Sequence, residues 1–250
     1  MGPGRVYSRG LTPQDGSVVV WILVGIILFA ALSLAVTRGM RGGGEGKIAQ
    51  DMARARAVDI LQYGASLRGA LQALKVEGIS AERISFESPL LSGYANAGCT
   101  DESCRVFGAG GGGIGYRAPQ GDWLDPRESA RPLYGQWYFA ANVCVDGAGS
   151  GDATCARDGL DNEDIVAFLP WVRKDVCIGI NEKLGIDNPG GAPPVETASA
   201  WGAAMPKFTG GFSDGTVLNQ PGLSAGCFAG SGANTPPADT YAFFQVLSAR

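Results

Sequence analysis

The sequence of 250 residues contains no histidine. Histidine is the side chain that most often acts as a general base, that completes Ser-His-Asp and Cys-His catalytic sites and that binds catalytic zinc. The chain has six cysteines but no Cys-x-x-Cys pair, so a zinc cluster would need an irregular spacing of ligands. The composition therefore predicts that the protein is not an enzyme of these classes and has no cofactor of these kinds.

An excess of basic residues is also lacking. The formal net charge is -4 and the isoelectric point is near 4.9. Binding to phosphate backbones needs a clustered basic surface. We therefore expect no nucleic acid among the partners.

One long apolar segment runs from Ser17 to Thr37 and carries no charged residue. Its twenty-one residues would rise roughly 31 Å as a helix, which is about one hydrocarbon core. A buried core helix is disfavoured because no face of the segment is polar, and a cleaved secretory signal because such apolar cores are shorter. The segment predicts a transmembrane helix and a membrane as a partner.

A short polar leader, Met1 to Gly16, precedes the apolar segment and contains Arg5 and Arg9. This arrangement resembles a type IV prepilin. The resemblance implies that a leader peptidase cuts after Gly16, which makes Ser17 the new N-terminus. It also implies an assembly machinery and identical or related subunits as partners, with the apolar helix packed in a filament core.

Two positions depart from the prepilin pattern. Ser17 stands where that family usually starts with Phe, and Trp21 stands where it has a glutamate at the fifth mature position. Farther along, the stretch 169–186 and the ending 241–250 are similar to segments of uncharacterised prepilin-type proteins of alphaproteobacteria. The sequence also fits a plain single-pass anchor that is never cut.

Glycine clusters and patterning divide the chain into four parts. Residues 1–16 are the leader, 17–38 the transmembrane or filament-core helix, 39–46 a glycine-rich neck and 47–250 an exported head. Each internal glycine costs a helix up to about 1 kcal/mol relative to alanine, so the neck predicts an interruption.

Apolar periodicity in the head predicts an α+β fold with a small antiparallel sheet, and the glycine clusters and cysteines add long glycine-rich loops and disulfides. This plan is similar to that of a pilin head. Spacings of three and four predict a helix from Lys47 to Val76, and a second helix from Asp161 to Leu184 that is divided near Pro170. Short alternating runs predict four strands, at 83–86, 104–107, 135–139 and 241–247.

Six cysteines in an exported head predict disulfides, with fifteen complete pairings open. Locality favours two short pairs, which leaves one long pair: Cys99 with Cys104, Cys144 with Cys155, and Cys177 with Cys227. Free thiols in a cytosolic head are the alternative. With disulfides, we expect a protein of the inner membrane whose head is periplasmic, and afterwards a filament on the cell surface or outside the cell.

Acidic residues cluster in the loop that contains Asp158, Asp161 and Asp164. Calcium binds six to eight oxygens, many of them from carboxylates on flexible backbone, so these three side chains are candidate calcium ligands. Acidic turn residues and a helix N-cap explain the same pattern without a metal.

Together these features favour a structural subunit of a type IV pilus-like filament or of a pseudopilus, as in type II secretion. It would assemble through its apolar helix and display the head. A membrane-anchored extracytoplasmic binding protein that does not polymerise is the first alternative. An exported enzyme that uses carboxylates such as Asp161 or Glu163 is the second.

Overall fold

The computed structural model describes residues 16–41, 44–148, 163–197, 206–213, 216–232 and 236–250. The chain divides into two compact units, residues 1–49 and 50–250. Helix α1 (Gly16–Arg41) belongs to the first unit, and helix α2 spans Gly44–Val76. Helix therefore covers all the described residues of the predicted neck, because isolated glycines only weaken a helix.

Helix α2 lies close to the predicted bounds, and its apolar spacing gives it one buried face. Ile60, Leu67, Leu71 and Leu74 have no exposed surface. The helix ends at Val76, and Gly78 terminates it with a φ of 87°. The amide of Ile79 donates to the carbonyl of Leu74 at 3.0 Å.

The second unit is built on a mixed sheet of six strands in the order β3-β5-β6-β2-β1-β4. The four central strands pair antiparallel, and the two short edge strands pair parallel with their neighbours. The strands are β1 Tyr138–Val145, β2 Asp164–Pro170, β3 Val195–Glu196, β4 Thr216–Leu218, β5 Ala225–Gly230 and β6 Tyr241–Ser248. Helix α3 (Lys174–Leu184) follows β2.

Both faces of the central strands are buried. In β6, Tyr241, Phe243 and Leu247 belong to one apolar cluster, whereas Phe244 and Val246 belong to another on the opposite face. Successive side chains of a strand point to opposite faces, so a strand buried on both sides has no polar alternation.

The first of these clusters joins α2 and α3 to the sheet, and small residues allow the close approach. A Cβ atom added to Gly64 of α2 would lie 3.4 Å from the ring of Phe243. A Cβ added to Gly179 of α3 would lie 3.4 Å from the Cβ of Ala57. Gly185, with φ of 73°, ends α3 as its sequence pattern predicts.

The predicted fold class is wrong. The head is a six-stranded mixed sheet, not a pilin-like head with a small antiparallel sheet. The error is clearest in the predicted helix from Asp161 to Leu184, whose first part is the central strand β2. All seven residues of β2 are buried, and a short apolar run of this kind does not distinguish a strand from a buried helix by periodicity.

The structure also contradicts the prediction of a transmembrane helix from Ser17 to Thr37. In the part of the chain that the structure describes, no helix combines the length and the apolar character needed to cross a bilayer. The finding overturns the predicted membrane anchor and with it the predicted place in the inner membrane.

The other predicted strands form only in part. Strand β6 matches the predicted closing strand, and β1 begins at Tyr138, near the end of a predicted one. The predicted strands at 83–86 and 104–107 reduce to one parallel bridge between Ser85 and Arg105. Strand β2 takes a central place beside β6, and the shorter runs are not among the six strands of the sheet.

Among the described residues, two disulfides join Cys99 to Cys104 and Cys177 to Cys227, which confirms two of the three favoured pairs. The second bond ties α3 to β5, and both of its cysteines are buried. Cys144 lies in β1, and Cys155 lies outside the described residues. Disulfides are compatible with an oxidising location outside the cytoplasm.

The two bonds should contribute unequally to stability because they close loops of different length. Cys99 and Cys104 are 5 residues apart, whereas Cys177 and Cys227 are 50 apart. In the chain-entropy model, replacing Cys177 and Cys227 by alanine costs about 4 kcal/mol, and replacing Cys99 and Cys104 about 2 kcal/mol. Guanidinium unfolding of the full chain measures both. A larger loss from the short loop would contradict this account of the core.

Candidate assembly surface

Helix α1 exposes a continuous apolar surface. The exposed fraction is 58% for Val19, 73% for Trp21 and 74% for Phe29. Ten further apolar side chains of the helix are exposed as well, namely Val20, Ile22, Leu23, Val24, Ile26, Ile27, Leu28, Leu32, Leu34 and Val36. An exposed apolar patch of this size marks an interaction surface rather than an ordinary protein exterior.

The exposure extends around the whole circumference of α1. Residues 19–24 are six consecutive exposed apolar positions, which is more than one full turn at 3.6 residues per turn. No side of this stretch is polar, unlike a helix that packs one stripe on a core. A single partner on one side would therefore leave apolar side chains in water on the other sides.

The predicted processing site lies at the start of this helix. Gly16 is the first residue of α1 and Ser17 the second. Residues 1–15 lie outside the described part of the chain. Trp21 stands one turn farther on among the exposed apolar residues. The structure thus places the predicted cleavage site directly before the apolar surface.

One buried acid belongs to the predicted calcium cluster. Asp164 is only 2% exposed at the start of β2. Its Oδ2 accepts a hydrogen bond from the amide of Val145 at 2.9 Å, and its Oδ1 accepts one from the amide of Arg250 at 3.2 Å. Burial raises the pKa of Asp164 to about 6, although both hydrogen bonds act to lower it.

The calcium hypothesis gains no support from this arrangement. Asp164 uses both carboxylate oxygens to hold backbone amides of the head together. Asp158 and Asp161 lie outside the described residues. Among the residues that the structure describes, no group of three or more histidine, cysteine or acidic side chains could hold a metal. The calcium site therefore stays a prediction.

The role of Asp164 could not be predicted from the acidic spacing, which is typical of a turn or a helix N-cap. The apolar run that follows it, from Ile165 to Leu169, was the available signal for a strand. The exposed surface of α1, in contrast, is evident from the sequence, since it needs only an uncharged apolar segment.

No protein-family model, curated protein or solved structure matches the chain. These comparisons neither support nor exclude the resemblance to prepilins.

The raised pKa of Asp164 should make stability depend on pH. The folded state holds the proton more tightly than the unfolded state, whose pKa is near 3.8. Its contribution is therefore complete below about pH 4 and is lost as the pH rises toward 6, by about 3 kcal/mol. We expect the free energy of unfolding of Asp164→Asn to rise relative to that of the parent chain, by about 2 kcal/mol between pH 4 and 6.5.

Urea unfolding at each pH measures this difference. Asp51→Asn is the matched control, because the side chain of Asp51 is 75% exposed. The control should keep the difference from the parent chain constant across the same pH range. If Asp164→Asn also kept it constant, Asp164 would titrate as an ordinary surface acid.

Proposed function

We propose that the protein is a structural subunit that assembles with copies of itself into a filament through α1 and displays the disulfide-bonded head. The observation that carries the proposal is the apolar surface around the whole of α1. The arrangement of a polar leader ending at Gly16 before this helix supports it by resemblance.

The partner is inferred from the cost of leaving α1 in water. Burying one valine, leucine, isoleucine or phenylalanine side chain is worth about 1.5–3 kcal/mol. Another copy offers the same uncharged surface from 17 to 37, so pairing buries no unpaired charge. Contact between copies therefore buries the apolar side chains of α1 without any further component.

The circumference of the surface favours a higher assembly over a dimer. A second helix covers only one side of α1, whereas the apolar residues 19–24 face all directions. Several neighbours are needed to cover them, and repeated contacts of one kind that do not close on themselves generate a filament. The head then lies at the outside, where its polar surface faces water.

The features of the head described above stabilise its fold and do not form a catalytic site of a known kind. It has no histidine to act as a base, and the Cys177–Cys227 bond holds α3 against the sheet. Asp164 is committed to backbone amides. Packing and display are the functions that these features support.

A charge in the middle of α1 should prevent assembly. Leu28→Lys places an ammonium group among apolar side chains, where burial without a partner costs several kcal/mol. We expect the concentration needed for assembly to rise at least about 100-fold, which corresponds to about 3 kcal/mol. Electron microscopy and sedimentation of the full chain after removal of detergent measure it.

Val76→Lys is the matched control, since Val76 is 88% exposed at the end of α2. The control should assemble as the parent chain does. Monomers of the parent chain under these conditions, or equal assembly by Leu28→Lys, would contradict the proposal and favour a binding protein that does not polymerise.

A further inference from the structure

A cavity of about 350 Å³ lies in the head between the segment 87–95 and Arg105. Its lining includes two charged residues, Glu87 and Arg105, and an apolar wall formed by Pro89, Leu91, Tyr94 and Ala95. Cavities of about 300–1,000 Å³ with an apolar wall and a few polar groups are typical of small-molecule sites. None of these residues belongs to α1.

The walls of this cavity are fixed by the fold. Ser85 pairs with the segment of Arg105, because the amide of Ser85 donates to the carbonyl of Cys104 and the amide of Val106 donates to the carbonyl of Ser85. The Cys99–Cys104 bond fixes the residue directly before Arg105. On the other side, the hydroxyl of buried Tyr94 accepts from the amide of Phe139 at 3.1 Å.

The hydrogen-bonding capacity of Arg105 is poorly used. Its Nη2 lies 3.3 Å from Oε2 of Glu87, and its Nε is buried with no hydrogen-bond partner among the described residues. A guanidinium carries five N–H donors, and a buried donor without a partner costs about 1–3 kcal/mol. The side chain of Arg105 is nevertheless 40% exposed, so the N–H groups at the end of its guanidinium, rather than the buried Nε, are the donors available for a ligand.

The ion pair with Glu87 does not prevent ligand binding. The side chains of Arg105 and Glu87 are 40% and 43% exposed. An ion pair this exposed is worth only about 0–1 kcal/mol. A ligand carboxylate can therefore replace the Glu87 carboxylate, which is free to turn into water.

From these features we infer that the cavity binds a small monocarboxylate with an apolar body. The planar fork of Arg105 matches a carboxylate, which can accept two parallel hydrogen bonds. The wall of Pro89, Leu91, Tyr94 and Ala95 then packs on the apolar part of the ligand. This site acts independently of assembly through α1.

Equilibrium dialysis of the full chain against labelled N-acetyl-leucine tests the site. We expect saturable binding of one equivalent with a dissociation constant in the millimolar range, as suits a ligand of about a dozen heavy atoms. N-acetyl-leucinamide, which lacks the carboxylate, should bind at least tenfold more weakly. Absence of saturable binding, or equal binding of the amide, would overturn the inference.

Variants with opposite expected effects separate a binding role from a structural one. Arg105→Gln should weaken binding at least tenfold, whereas Glu87→Gln should tighten it several-fold by removing the competing carboxylate. Arg131→Gln, which removes an arginine paired with Glu128 elsewhere, should bind as the parent chain does.

Ala95→Phe places a ring in the cavity from an exposed position and should abolish binding even if Arg105→Gln fails to fold. Unchanged binding by Ala95→Phe, or weaker binding by Glu87→Gln, would overturn the inference.

Discussion

The head depends on the burial of strands β2 and β6 on both faces. These neighbouring strands carry apolar side chains toward each side of the sheet, and every residue of both is buried. Helices α2 and α3 cover one face, which requires Gly64 to approach Phe243 and Gly179 to approach Ala57. The Cys177–Cys227 bond then holds α3 to β5 beside this core. The rest of the head is arranged around these two strands.

The same burial explains which parts of the fold the sequence predicts. Helix α2 has one buried face, so its spacing of apolar residues indicates a helix directly. Strand β6 is recognisable because it is rich in aromatic residues. The end of α3 is recognisable because Gly185 follows it. Strand β2 has apolar residues on both faces, and its sequence therefore fits a buried helix equally well. The parallel edge strands of two and three residues are too short to leave a pattern.

The functional features also differ in how far they can be predicted from the sequence. The surface of α1 is readable from the sequence, because an uncharged apolar segment needs no tertiary information. The predicted pilin-like head is wrong because the head is a six-stranded mixed sheet. The predicted membrane anchor is wrong because no helix in the described part of the chain has the length and apolar character to cross a bilayer. The cavity at Arg105 could not be predicted either. Glu87 and Arg105 are far apart in sequence and meet only through the bridge at Ser85.

The central claim is that α1 is buried against α1 of other copies. Photo-crosslinking from Phe29, which has the highest exposed fraction of the large apolar side chains described in the helix, tests it most directly. A benzophenone amino acid at this position, in a mixture of ¹⁴N-labelled and ¹⁵N-labelled chains, allows mass spectrometry to distinguish links between copies. The account predicts mixed-isotope crosslinks that join residues 19–36 of two chains. Crosslinks confined to one chain would contradict it.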